Sequence, residues 1–228
     1  MKMTPGEEKE LEFRFCLARY GVEVPFVNPY IGSMSVIPER PLRADARRNR
    51  ERVLEGARAV FAEHGRDAQM DDVAKRSGVG VGTVYRHFPT KEALVSALAI
   101  SLFEQVLASA RKAAELLDPW EAFTTALWQG TAVLSSDRAF TEIVGQAVMP
   151  FPSDLQVEMF EVYSGLIQRA QDSGDLRPDI VLDDIPMFTC GIGMATVKPH
   201  MCQAAWRRPL AIIIDGLRAT NASGPLPS

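Results

Sequence analysis

Residues 70–89 read MDDVAKRSGVGVGTVYRHFP, two short helical patterns joined by a glycine-bearing turn. The spacing has a physical cause. Ala74 is small where two helices would cross, Gly78 can take the left-handed conformation of a tight turn, and Val79 and Val84 fill the space between the helices. This is a helix-turn-helix signature. With Val84 and Phe88 turned inward, four apart on one face, the opposite face of the second helix is expected to present Thr83, Arg86 and His87, with Tyr85 at its flank. Such groups suit phosphates and base edges in a major groove. Gly80 and Gly82 keep bulky side chains away from the start of that helix, so backbone N–H groups can approach a phosphate closely.

Upstream, from Arg43 to His64, apolar residues fall at Val53, Leu54, Ala57, Val60 and Phe61, the period of an amphipathic helix, and Gly65 stops it. This region is also basic. The whole chain carries 25 Lys and Arg against 29 Asp and Glu, a net charge of −4, yet the segment from Arg40 to Glu92 has twelve basic residues against eight acidic ones. An acidic protein with such a segment can bind a polyanion through it; the alternative is a solvated, charge-laced helix.

The wider stretch from Arg47 to Leu94 closely resembles the tetracycline-repressor (TetR) family of transcriptional regulators. The matching pieces are RNRERVLEGARAVFAEHG (48–65), MDDVAKRSGVGVGTVYRHF (70–88) and PTKEAL (89–94), in the family's order and spacing. The resemblance implies a three-helix DNA-binding head over Arg43–Gly65, Met70–Ser77 and Val81–Phe88. It further implies a long fourth helix leading to an α-helical ligand-binding and dimerisation body, a homodimer on a palindromic double-stranded DNA operator, and a small-molecule effector. Carried over residue by residue, Thr83 looks like the contact near the start of the recognition helix, Tyr85 and His87 look like phosphate contacts, and Val81 and Gly82 occupy the positions nearest the bases. Lys91 matches the lysine that opens the fourth helix and reaches a backbone phosphate. Arg47, Gln69 and Arg86 complete the DNA-binding candidates.

Two positions depart from the pattern. Gly80 stands where many members have a capping serine, and Gln69 where many have threonine before the second helix. Glycine caps within a few tenths of a kcal/mol of serine, by the general ranking of caps, and Gln69 can still donate to a phosphate. For Tyr85 the competing reading is simple packing between helices; for His87 it is an exposed histidine with no partner in DNA.

The rest of the chain reads as helices: Ala93–Leu117, Pro119–Leu134, Arg138–Met149, Ser153–Asp172, Asp183 to about Gln203, and Trp206–Ala219. No alternating strand pattern of useful length and no internal repeat appear, so the fold class is all-α with about nine helices, the body helices antiparallel. Domain bounds follow as a poorly ordered extension over 1–41, a helix-turn-helix domain over 42–90, a body over 91–220 and a polar tail over 221–228. Trp128, Phe140, Met149, Phe160, Tyr163 and Phe188 give the body large apolar side chains, the candidate lining of an effector pocket, although such residues are often simply core. Gly191 and Gly193 leave a small-residue face on one helix, and Leu210, Ile213, Ile214 and Leu217 recur at helical spacing on the next. Two such helices can make the isologous four-helix interface of a two-fold dimer, or can pack within one chain. The PWEA at 119–122 and the DGLR at 215–218 look similar to a TetR subgroup.

Residues 1–41 hold five prolines and no sustained period. Met34 stands just before the organised region and offers a second start, which would make the first 33 residues an upstream addition; intact-mass measurement of protein made from its own promoter checks this. With 46% hydrophobic and 24% charged residues the composition is ordinary, which excludes disorder as the main state. The longest nearly uncharged apolar stretch, Ala93 to Phe103, falls short of the ~20 residues of a membrane span.

Cys16, Cys190 and Cys202 form no CxxC pair, and the reading expects no metal, no cofactor and a reducing cytoplasm. No phosphate-binding glycine loop or Gly-x-Ser-x-Gly elbow points to an enzyme. The expected function is therefore a ligand-responsive repressor. The alternatives are a ligand-independent or activating regulator and, more remotely, redox sensing through Cys190 and Cys202. On a straight helix those two sulfurs would sit ~18 Å apart at ~1.5 Å per residue, beyond the reach of a disulfide.

Overall fold

A computed structural model describes residues 44–136, 153–196 and 204–227. Among them run eight α-helices: α1 (Ala44–His64), α2 (Met70–Ser77), α3 (Val81–His87), α4 (Lys91–Ala114), α5 (Pro119–Ser136), α6 (Ser153–Asp172), α7 (Asp184–Thr196) and α8 (Arg207–Leu217). Short 3-10 turns follow α1 at Gly65–Asp67 and α8 at Ala219–Asn221. The fold is all-α. The helix expected over 138–149 lies outside the described residues, as do the extension over 1–41 and the end of the helix expected to run to Gln203.

Helices α1, α2 and α3 close around one apolar core. Val53, Ala57, Val60 and Phe61 of α1 meet Val73 and Ala74 of α2 and Val84 and Phe88 at α3, all nearly solvent-free. The turn between α2 and α3 is built as its residues require. Gly78 adopts φ +64°, its N–H donates to the Lys75 carbonyl at 3.3 Å, and the Val79 N–H donates to the Ala74 carbonyl at 3.1 Å. That pair of bonds is a Schellman end, which satisfies carbonyls that a helix terminus would otherwise leave orphaned.

The second core belongs to the body, where α4 packs along α5, α5 against α6 and α7, and α8 against α7. Phe123, Leu127, Leu134, Leu166, Leu176 and Leu210 are its largest fully buried side chains. Helix α4 serves both cores. Leu94, Val95, Leu98 and Ala99 sit in the first and Leu102, Val106, Ala110 and Ala113 in the second. It starts two residues earlier than the expected Ala93, because the Thr90 hydroxyl accepts the Ala93 N–H at 3.1 Å and caps it. At 24 residues it is long and apolar enough to cross a membrane by length and composition, which the Ala93–Phe103 stretch alone did not convey. Its apolar stripe has a simpler use, since a helix shared by two cores must be apolar on more than one face.

The polar C-terminal tail is held against the body by hydrogen bonds. The Arg177 guanidinium pairs with both Asp179 carboxylate oxygens (2.6 and 2.8 Å) and donates to the Gly224 carbonyl at 2.7 Å, while Asp179 accepts the Leu226 N–H at 2.8 Å. An isolated antiparallel bridge joins Leu176 and Arg218, and the Arg218 guanidinium lies 4.3 Å from the centre of the Trp120 ring. Hydrogen bonding from Arg177 and then from the Leu226 N–H holds the Asp179 carboxyl well below its ordinary value. A carboxylate depressed on folding contributes stability that is present above its unfolded pKa and lost as pH falls through the folded one. Asp179→Ala should therefore speed hydrogen exchange at Leu226 at pH 7 by about tenfold or more, and the wild-type tail should loosen only in acid below about pH 4. Exchange measured by mass spectrometry on C-terminal peptides checks both; equal protection in the variant would show that the tail is held elsewhere.

Candidate nucleic-acid interface

Helix α3 is seven residues long and is held from beneath. Val84 is fully buried and Phe88 is 3% exposed, so the two residues four apart anchor its inner face as expected. The Thr83 and Val84 N–H groups both donate to the Gly80 carbonyl (2.8 and 3.3 Å), and Gly80 stands at the N-cap without a side-chain hydrogen bond. Neither Gly80 nor Gly82 has any heavy atom within 4 Å of where a Cβ would sit. The protein's own packing thus does not demand glycine there, and the start of the helix stays open to solvent.

The outward face differs in detail from expectation. Val81 (44% exposed), Gly82, Tyr85 (47%) and Arg86 are the exposed residues of α3, whereas Thr83 and His87 are half-buried at its edges. With Val84 and Phe88 defining the inward direction at ~100° per residue, Gly82 and Arg86 lie most nearly opposite, and residues one step off rotate toward the core. Tyr85 keeps nearly half its surface in water, so packing between helices is not what occupies it. His87 is no freely exposed histidine. Its Nε2 is buried without a hydrogen-bond partner, its ring centre lies 6.3 Å from that of Phe88, and desolvation, then Arg86 and Arg50, lower its pKa.

The flanking candidates are each engaged within the chain. The Gln69 side chain does not cap α2; its Nε2 donates to the Asp67 carbonyl at 2.8 Å. Lys91 holds its ammonium 5.6 Å from the centre of the Phe61 ring, and Arg47 faces Glu51 at 3.7 Å, both side chains largely exposed. Exposed pairs of this kind contribute about 0–1 kcal/mol, so they do not tie up the arginine.

Three further residues fix this surface and were not singled out from the sequence. The Arg50 guanidinium lies 5.4 Å from the centre of the Phe88 ring, and Arg52 donates to the Gly78 carbonyl at 3.3 Å, so α1 clamps the turn and the end of α3. Gly56 lets α1 approach α2: a Cβ there would stand 2.1 Å from Ser77 Oγ and 3.1 Å from the Ser77 backbone nitrogen. A glycine inside a strong helical period was the available signal for the last, since glycine costs such a helix about 1 kcal/mol relative to alanine unless packing requires it.

In the body, Tyr163 is 5% exposed, Trp128, Phe160 and Phe188 are half-buried, and Phe140 and Met149 lie outside the described residues. Trp128 packs on Trp206 with ring centres 5.6 Å apart, and the Tyr163 hydroxyl sits 3.2 Å from where a Cβ on Gly130 would stand. Burial pushes the Tyr163 hydroxyl and the Cys190 thiol above their ordinary pKa values, which keeps the cysteine a thiol and unreactive at neutral pH. Cys202 lies outside the described residues.

The dimer candidates differ in how far the chain itself buries them. Leu210 (0% exposed) and Leu217 (4%) point into the protomer's own core, Gly193 is buried, and Ile213 and Ile214 are half-buried against the same core. The large apolar side chains that α7 and α8 leave in solvent are Met187 (56% exposed) and Ile212 (62%), with Gly191 also exposed. A leucine stripe satisfies an internal core as readily as a partner, and here the internal core takes it. Among the described residues no group of three or more His, Cys, Asp or Glu side chains is placed to hold a metal ion.

Comparison with known proteins agrees with this geometry. Residues 53–98 match the family described as bacterial regulatory proteins of the TetR family, and residues 118–219 match a C-terminal domain described as that of SbtR-like transcriptional regulators. The Escherichia coli (strain K12) HTH-type transcriptional regulator UidR is 27% identical over 146 residues, 61% of this chain and 74% of that protein. A TetR transcription regulatory protein from Mycobacterium vanbaalenii is 33% identical, with 78% of this chain and 99% of that one covered at a TM-score of 0.56. A TetR transcriptional regulator from Streptomyces coelicolor is 29% identical, covering 74% and 98% at a TM-score of 0.55.

Proposed function

The chain belongs to the TetR family of transcriptional regulators and carries its DNA-binding domain, and from that premise we propose that it is a cytoplasmic homodimeric repressor, released from a palindromic operator when a small apolar effector enters the body. The observation that carries the reading is α3, whose inner face is locked by Val84 and Phe88 while Val81, Tyr85 and Arg86 stand in solvent beside an open helix start. A rigid helix offering an aromatic hydroxyl and a guanidinium outward suits phosphate and base-edge contacts in a major groove. Val81 and Gly82 lie nearest the bases in this reading, Tyr85, His87 and Lys91 at phosphates, and Arg47, Gln69, Thr83 and Arg86 around them.

The dimer forms through the solvent faces of α7 and α8, centred on Met187, Gly191 and Ile212 rather than on Leu210 and Leu217. Two-fold symmetry then sets the two recognition helices about 34–36 Å apart on the operator. The shared helix α4 offers a mechanical route between effector and DNA. Arg58 of α1 donates to Ser101 Oγ of α4 at 2.9 Å, so displacement of α4 in the body would be felt by α1. Operator DNA must weaken effector binding by the same factor as effector weakens operator binding.

The test is a fluorescence-anisotropy titration of the purified protein against its own upstream intergenic DNA with excess nonspecific competitor. Saturable binding at two chains per palindrome supports the reading, and absence of specific binding with inducer-free protein sinks it. Within that assay, Lys91→Ala combined with Tyr85→Phe should weaken binding to specific and nonspecific DNA alike and reduce the magnitude of the salt slope by about one counterion for the lysine. A loss confined to one base position would contradict the phosphate assignment.

A further inference from the structure

Helical hydroxyls in the body normally return their proton to the backbone. Thr124 Oγ1 donates to the Trp120 carbonyl at 2.9 Å, Thr189 Oγ1 to Ile185 at 2.9 Å, Ser109 Oγ to Val106 at 2.7 Å and Ser173 Oγ to Ala170 at 3.0 Å. Two hydroxyls of α5 do not. Thr131 is fully buried and its Oγ1 has no partner, and the buried Ser135 Oγ, one turn further along the same face, has none either. Buried polar groups are nearly always paired, and an orphan costs the desolvation of the group with nothing in return. Two of them at one-turn spacing call for an occupant that supplies the missing bonds.

Their surroundings describe that occupant. Trp128 lies one turn earlier on the same stripe, half-buried against Trp206, and the Tyr163 hydroxyl of α6 reaches the adjacent Gly130. The cations that reach into the body are already engaged: Arg177 by Asp179 and the Gly224 carbonyl, Arg169 by the carbonyls of Ala114 and Leu116, each at 2.8 Å. Arg218 pairs with Asp175, and Arg207 is exposed over the Trp206 ring. Among the described residues the surface beside α5 thus offers hydroxyls and apolar side chains but no buried cation without a partner, and a carboxylate or phosphate buried there would be desolvated without a buried counter-charge. We propose that Thr131 and Ser135 form the polar end of the effector site, and that the effector is an uncharged molecule bearing a carbonyl or hydroxyl on an apolar frame. The inference rests on the effector-responsive reading and narrows the chemical class of its ligand.

The experiment uses the full-length protein, its tryptophan emission as the melting signal, and four probes: 2-octanone, 1-octanol, octanoate at pH 8 and octane-saturated buffer. The ketone and the alcohol should raise the Tm of the wild type more than octanoate or octane does. In the Thr131→Val, Ser135→Ala double variant the apparent affinity for 2-octanone should fall at least about tenfold while the response to octane stays, and the unliganded Tm should rise by about 2–4 °C because the orphan hydroxyls are gone. A lower unliganded Tm in the variant would show the hydroxyls already satisfied and overturn the assignment. So would octanoate binding as well as the ketone, or no response to any probe. Ketone binding and operator release that are unchanged in the variant would overturn the hydroxyl anchor yet leave effector-responsive repression standing. Hydroxyl-dependent binding that leaves operator affinity unmoved would support the anchor and remove the regulatory reading.

Discussion

Phe88→Ala is expected to cost the DNA-binding head about 3–5 kcal/mol and to abolish specific operator binding. Phe88 is 3% exposed, stands where α3 ends, and fills the core shared by α1, α2 and the first turns of α4. Truncation removes a ring that three helices touch, and it also removes the surface under the Arg50 guanidinium, 5.4 Å away. The body should survive. All three tryptophans, Trp120, Trp128 and Trp206, lie there, so their emission reports on the body alone. The variant should therefore lose helical circular dichroism at a lower temperature while tryptophan emission stays native. A melt shifted by less than about 1 kcal/mol, with operator binding intact, would mean that Phe88 is not the keystone of the head.

Gly56→Val should have the next largest effect, about 2–3 kcal/mol, because its added atoms meet backbone as well as side chain. The Cβ alone would fall 2.1 Å from Ser77 Oγ and 3.1 Å from the Ser77 nitrogen, so α2 must move away from α1. The Schellman turn at Gly78 couples α2 stiffly to α3, so the recognition helix moves too and operator affinity should fall further than stability does. Ser77→Ala should restore part of the loss in a Gly56→Ala background by clearing the Oγ, but not all of it, since the nitrogen remains. Thermal melts and operator titrations of the four proteins check this as a double-mutant cycle. Additive effects would show that residues 56 and 77 do not touch.

The head was largely legible because its instructions are local. Within 20 residues the sequence places a small residue at the crossing, a glycine at the one left-handed position and valines at the interior offsets, and each does in the structure what its chemistry requires. The α3 face was read less well. Placing Thr83 and His87 outward overlooked that a helix of seven residues seated on α2 and α1 buries a wide arc, leaving Val81, Gly82, Tyr85 and Arg86 as its open side.

The body divides the same way. Periodicity alone fixed that the chain is helical, where α6 begins and ends, and that α8 carries an apolar stripe over Leu210 and Leu217. Periodicity says that a stripe is buried but not against what, since the same 3.6-residue repeat serves a partner subunit and the protomer's own core. Only tertiary structure turned those leucines inward and left Ile212 outside. It also brought Gly56 against Ser77, Arg50 over Phe88, Arg177 and Asp179 around the C-terminal end, and left two α5 hydroxyls unpaired. The contacts among these join residues from separate segments of chain, and the burial of the two hydroxyls likewise depends on how helices stack, which a one-dimensional pattern does not encode.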